Sequence, residues 1–85
     1  MGFQGLASTS QLAKAQSNLG LMYNNGQVVI QNYVRAHMWY NIAASQGNKL
    51  AKKNRVSIAK DMTASQIEKA QTIASECVEK NYKGC

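Results

Sequence analysis

The feature that most constrains this chain is a regular series of small, aromatic and glycine residues between positions 15 and 51. Small residues let two helices approach closely, and aromatic residues fill the space between them. The glycines stand where helices are expected to end, because glycine readily adopts a left-handed backbone. We therefore predict a close-packed helical hairpin. The series is Ala15, Leu19, Gly20, Tyr23, Gly26, Val29, Tyr33, Ala36, Trp39, Tyr40, Ala43, Ala44, Gly47 and Ala51.

Apolar residues recur at intervals of three and four along most of the chain, which predicts four helices. The second helix, about 33–45, carries apolar residues on two sides and should lie between neighbouring helices. The predicted buried stripes of the other three are Leu12, Ala15, Gln16, Leu19, Met22 and Tyr23; then Leu50, Ala51, Asn54, Ile58 and Met62; then Ile67, Ala70, Ala74, Cys77 and Val78. We expect an all-α fold, a fragment of an α/α superhelical solenoid made of two antiparallel helical hairpins.

The chain is short, with 85 residues and no proline. Two hairpins are fewer than the three or so repeats that usually form a stable stack. We therefore expect the apolar surface of the first helix to be covered by self-association or by upstream repeats. No apolar run approaches the roughly 20 residues needed to span a bilayer. The sequence also shows no targeting signal.

The net charge of +6 is unevenly distributed. Six basic residues and no acidic residue lie between Arg35 and Lys60, whereas the first 34 residues carry only Lys14. Lys49, Lys52, Lys53 and Lys60 fall on or beside one face of the third helix, away from its predicted buried stripe. Such a face is commonly just solvated, but it could also dock electrostatically on an acidic protein surface. Nucleic acid is the less favoured partner, because no aromatic residue interleaves the lysines.

The series resembles the Sel-one-like repeat, a relative of the tetratricopeptide repeat. Residues 13–51 follow that pattern, including the Leu-Gly pair, the Trp-Tyr pair and the Ala-Ala pair. Val28 replaces the second turn glycine, and Asn32 replaces an aspartate. Arg55 and Val56 stand where the next Leu-Gly pair would be, so the repeat that follows is degenerate. The resemblance implies three segments: an N-terminal segment 1–10, truncated or partly disordered; a complete repeat, 11–47; and a degenerate terminal hairpin with a C-terminal cap, 48–85.

The resemblance also implies a non-catalytic scaffold or adaptor of bacterial type that binds a protein or peptide through its repeat surface. The alternative function is a small basic domain that binds nucleic acid or another anionic surface with the Lys49–Lys60 face. Trp39 and Tyr40 are expected in the core rather than on a ligand platform. His37 has no nucleophile or acid pattern around it, so we expect no catalytic residue, no metal site and no cofactor.

Two cysteines, Cys77 and Cys85, are too few for a zinc site of about four ligands. Cys77 lies in an apolar stripe and could be a buried thiol. A disulfide with Cys85 is favoured, because Gly84 lets the tail fold back and related repeat proteins use cysteines with this spacing. A disulfide would place the protein in the periplasm or outside the cell; without one, the protein would be cytoplasmic.

Overall fold

The computed structural model describes residues 9–27 and 30–85, so the expectations for residues 1–8, Val28 and Val29 lie outside the described residues. Four helices follow one another along the chain: α1 (Thr9–Asn25), α2 (Tyr33–Ser45), α3 (Lys49–Ala59) and α4 (Ala64–Glu79). The described residues form no strand. The predicted all-α class is thus confirmed.

The last three helices each begin at a residue whose side chain caps the helix. The Oδ1 of Asn32 accepts a hydrogen bond from the backbone N–H of Arg35, and Asn48 caps α3 in the same way. Thr63 and Gln66 form a reciprocal capping box at the start of α4. Each cap satisfies a donor that the helix itself leaves unpaired. Asn32 therefore keeps the capping function at the position where the repeat pattern has an aspartate.

Helix α2 is the centre of the structure, because α1, α3 and α4 all pack against it. One side of α2 contributes Ala36, Tyr40 and Ala43 to a core cluster with Ala51 and Ile58 of α3. The other side forms a second cluster with α4 and α1, made of Met38, Trp39, Ile42, Ala74 and Cys77, with Leu19 and Tyr23 packed against it. The sequence prediction of a helix that is apolar on two sides is explained by these two clusters.

The second hairpin is open rather than closed. Helices α3 and α4 each pack on α2 and hardly on each other in the described part of the chain. Gln66 of α4 lies near Val34, and Glu79 lies near Ser45, so α4 runs parallel to α2. The two helices of this hairpin therefore leave α2 accessible between them near its C-terminal end.

Helices α1 and α2 approach each other closely at Gly20. A Cβ atom at this position would lie 2.6 Å from Cδ1 of Tyr40, closer than side-chain carbons approach one another. Tyr40 has no solvent exposure, and its hydroxyl accepts a 3.4 Å hydrogen bond from Nδ2 of Asn24. Burial raises the pKa of Tyr40, while this hydrogen bond acts in the opposite direction.

Several residues expected in the buried stripes are exposed. Ala15, placed in the repeat core from the sequence, is exposed, and Leu12, Leu50 and Val78 are 37%, 63% and 47% exposed. The reason is the same in each case: α1, α3 and α4 each have one main neighbour, α2, and so bury only a narrow stripe.

In α1 the buried stripe is rotated by about one residue, or about 100°, from the predicted one. Its fully covered members are Ala13, Gln16, Ser17 and Gly20. None of the helices in the described part of the chain is long and apolar enough to cross a bilayer.

Candidate interaction surfaces

The residues of the repeat series divide into buried, half-buried and exposed positions. Gly20, Ala36, Trp39, Tyr40, Ala43 and Ala51 are buried; Leu19, Tyr23, Tyr33 and Ala44 are half-buried against the core clusters; Ala15, Gly26 and Gly47 are exposed. Gly26 and Gly47 have φ values of 71° and 96° and end the two helices of the hairpin. Trp39 and Tyr40 are thus packing residues and do not form an exposed platform.

An apolar strip lies along α1 beside the side that packs against α2. We call Leu12, Ala15, Leu19 and Met22 the outer strip. Leu12 and Ala15 are exposed, and Leu19 and Met22 are half-buried. These positions fall within about 80° of arc on the helix. The outer strip is therefore a continuous apolar surface beside the core, and Leu19 also packs against the second core cluster.

The outer strip has an internal counterpart in α3. Ala15 begins the motif Ala-Gln-Ser-Asn, and Ala51 begins Ala-Lys-Lys-Asn at the equivalent position of the next unit. Ala51 has no solvent exposure, because Ala36, Tyr40 and Ala43 of α2 pack around it. The structure thus contains the same helix position in two states, covered by a preceding helix in α3 and uncovered in α1.

The lysines of α3 surround a shallow depression of ≈ 520 Å³ on its outward side. We call this surface the lysine face. All four lysines are exposed. The depression is also lined by Ser57 and by Val56, whose side chain is 54% exposed. Among the described residues that line the depression, none is acidic. The structure thus brings together Lys49, Lys52, Lys53 and Lys60, as the sequence indicated, around an apolar centre.

A second groove, of ≈ 310 Å³, runs between α2 and α4. Its floor is formed by Asn41, Ile42 and Ser45, and its wall by Ala74, Ser75, Val78 and Glu79. The half-exposed side chain of Val78 lies at this groove.

His37 is buried between α2 and α3, with 3% of its surface exposed. Desolvation lowers its pKa from the usual value of 6.5, and the positive charge of Arg55 lowers it further. Arg55 is held in place by a 2.6 Å hydrogen bond from its Nη1 to Oδ1 of Asn41. Among the described residues, none is a hydrogen-bond partner for Nδ1 of His37. This histidine is therefore a neutral packing residue.

The sequence analysis placed Gln16 in the buried stripe of α1 but gave no reason for a polar residue there. Gln16 is 3% exposed, and its Oε1 accepts a hydrogen bond from Nε2 of Gln46, just beyond α2. Ser17, which was not expected to be buried, is 6% exposed beside it. The contact joins residues that are distant in sequence, so periodicity could not reveal it.

The C-terminal tail folds back onto α2 and α4. Cys77 and Cys85 lie at disulfide-bonding distance, with Cα atoms 5.8 Å apart. The backbone N–H of Tyr82 donates to the carbonyl of Cys77 at 2.8 Å, and Arg35 donates to the carbonyl of Cys85. Gly84 has a φ of 73°, which allows this reversal. The tail is therefore fixed at both cysteine positions.

A comparison with known protein families identifies the hairpin. The Sel1 repeat family matches residues 13–48, which include all of α2 and most of α1. The chain contains a Sel1 repeat. Neither a search of curated proteins nor a search of solved structures finds a match to the chain. Sel1 repeats generally mediate protein–protein interaction, and their family is one of non-catalytic scaffold repeats.

The buried histidine of the Sel1 repeat predicts a loss of stability in mild acid. Because the folded protein holds the pKa of His37 below that of the unfolded chain, the unfolded state binds the proton more readily. The contribution of His37 is fully present above pH 6.5 or so and declines as the pH falls below that value. Urea unfolding between about pH 7.5 and 5 measures this decline.

The matched control for this prediction is His37→Gln, which carries no charge at any of these pH values. As the pH falls, the unfolding free energy of the parent protein should decrease more than that of the variant. Parallel pH profiles for the two proteins would contradict the assigned protonation state.

Proposed function

We propose that this chain is a non-catalytic adaptor module whose outer strip on α1 receives a helix from a protein partner or from a preceding repeat. The observation that carries the proposal is the contrast between Ala15 and Ala51. The two alanines occupy equivalent helix positions, yet Ala15 is exposed and Ala51 is completely covered by α2. The helix that covers Ala51 is therefore a template for a helix that could cover Ala15.

The template defines the chemistry of the occupant. The helix that covers Ala51 presents Ala36, Tyr40 and Ala43, two small residues and one aromatic on the same side. A helix with such a stripe would bury Leu12 and Met22 as well as Ala15. Burial of this apolar surface favours association by about 25 cal/mol for each Å² removed from water.

A second copy of this chain is a poor source of that helix. The small-and-aromatic stripe of α2 is already covered by α3 within each molecule, with Ala36, Tyr40 and Ala43 all fully buried. A dimer would therefore have to cover the outer strip with a different surface of the second copy. This supports an occupant outside the described residues, either a partner's helix or an upstream repeat.

A tandem protein tests the proposal directly. A copy of residues 13–48 is inserted after Asn48, so that the second α1 follows an α2 helix, as α3 does in the parent chain. We expect the two units to stack through the newly covered outer strip and to raise the thermal midpoint by about 5–10 °C. Circular dichroism during heating measures the shift.

Ala15→Glu supplies the control, because its effect should depend on whether the position is covered. In the parent chain it should change the unfolding free energy by less than about 0.5 kcal/mol, as an exposed substitution usually does. In the second unit of the tandem protein it should abolish the gain. A tandem protein no more stable than the parent would contradict the proposal, and dimerisation lost with Ala15→Glu would show that a second copy occupies the strip.

We also propose that Cys77 and Cys85 form a disulfide and that the protein acts in an oxidising compartment, in the periplasm or outside the cell. The proposal is supported by the short distance between the cysteines and by the hydrogen bonds that hold the tail in place. A bond across so short a loop stabilises the fold by roughly 2.5 kcal/mol on the chain-entropy estimate. That is a useful fraction of the stability of a small domain.

Two measurements test the disulfide. Mass spectrometry after alkylation under denaturing conditions, without reductant, should find neither cysteine modified. A reductant should lower the unfolding free energy of the parent protein by roughly 2.5 kcal/mol. The same reductant should leave the matched variant Cys85→Ser unchanged. Two alkylated cysteines, or an equal response of both proteins to reductant, would refute the bond.

A further inference from the structure

The lysine face gathers positive charge along one line of α3. Lys49, Lys53 and Lys60 fall within about 40° of arc, and Lys52 lies to one side of them. From Lys49 to Lys60 the line is about 16 Å long, which an extended segment of about five residues can follow. The lysine face thus has the length of a short linear peptide.

The arrangement of these lysines is unfavourable for the helix that carries them. Lys49 and Lys52 lie in the first turn, where the helix dipole disfavours cations, and no acidic residue offsets them there. Lys49 and Lys53 are also spaced like a repelling i,i+4 pair. Packing and capping do not require lysine at these exposed positions, and an anionic partner would offset the unfavourable charge.

The centre of the lysine face distinguishes between kinds of anionic partner. Val56 is 54% exposed and lies among the lysines, facing away from the core. Covering it gains free energy only if the partner brings an apolar group to this point. A nucleic acid backbone offers phosphates and sugars, and none of the described residues that line the depression is an aromatic one on which a base could stack.

We propose that the lysine face binds an acidic protein segment in which one apolar side chain is flanked by carboxylates. The apolar side chain packs on Val56, and the carboxylates pair with the surrounding lysines. This surface lies on α3 and the outer strip lies on α1, so either proposal can fail without the other.

The test is an amide NMR titration of the full chain at low ionic strength with two capped peptides, Glu-Glu-Leu-Glu-Glu and Glu-Glu-Ser-Glu-Glu. Shifts should concentrate in residues 49–60. The leucine peptide should bind about fivefold more tightly than the serine peptide, because it can cover Val56. Val56→Ser should remove that difference while leaving the affinity for the serine peptide unchanged.

Two double variants with the same net charge distinguish binding at the lysine face from general electrostatic attraction between the protein and the peptide. Lys52→Glu with Lys53→Glu should weaken binding of the leucine peptide by about tenfold. Lys14→Glu with Lys69→Glu, on exposed positions of α1 and α4, should weaken it less than about twofold.

Three results would overturn the proposal. One is equal weakening by the two pairs of charge variants, and another is equal affinity of the leucine and serine peptides for the parent protein. The third is tighter binding of an oligothymidylate than of the leucine peptide, with no effect of Val56→Ser, which would indicate a nucleic acid surface instead.

Discussion

The packing of the Tyr40 ring against the backbone of Gly20 sets the distance between α1 and α2, and the rest of the structure follows from that distance. With α1 held this close, Tyr40 is fully buried and can also contribute to the cluster that includes Ala51 and Ile58 of α3. The opposite side of α2 is then left for α4, through Met38 and Ile42. One helix thereby organises three neighbours in a chain of 85 residues.

This use of α2 also determines where the protein can bind a partner. The aromatic pair Trp39–Tyr40 is the most conspicuous motif of the sequence, but both residues are buried in the core. The surfaces that remain available are on the outer helices, which each touch α2 on one side. The outer strip of α1 and the lysine face of α3 differ in chemistry, one apolar and one basic, and so suit different partners.

Features that depend on local sequence could be predicted well. The capping of α3 by Asn48 and the Thr63–Gln66 capping box each join residues only three positions apart, so a local motif is sufficient to indicate them. Gly20 lies inside α1 rather than at its end, and a glycine inside a helix indicates a packing reason, which here is the close contact with Tyr40.

Features that depend on which neighbours are present could not be predicted from periodicity. Ala15 and Leu50 are in apolar stripes that look buried, but no described helix covers them. Gln16 is the reverse case, a polar residue that is buried because Gln46 meets it after the chain has folded. The exposure of Ala15 indicates a binding surface only when it is compared with Ala51, the covered residue at the equivalent helix position.

The most direct test of this account is the stability of Gly20→Ala in urea unfolding. Alanine favours a helix over glycine by about 1 kcal/mol, so without a close contact the substitution should stabilise the protein, as Asn18→Ala should at an exposed position of α1. The account predicts instead a net destabilisation of about 1–3 kcal/mol, because the added Cβ meets the ring of a buried tyrosine. It also predicts that the loss shrinks when Tyr40→Leu is present. A Gly20→Ala protein as stable as Asn18→Ala would contradict the central place given to this contact.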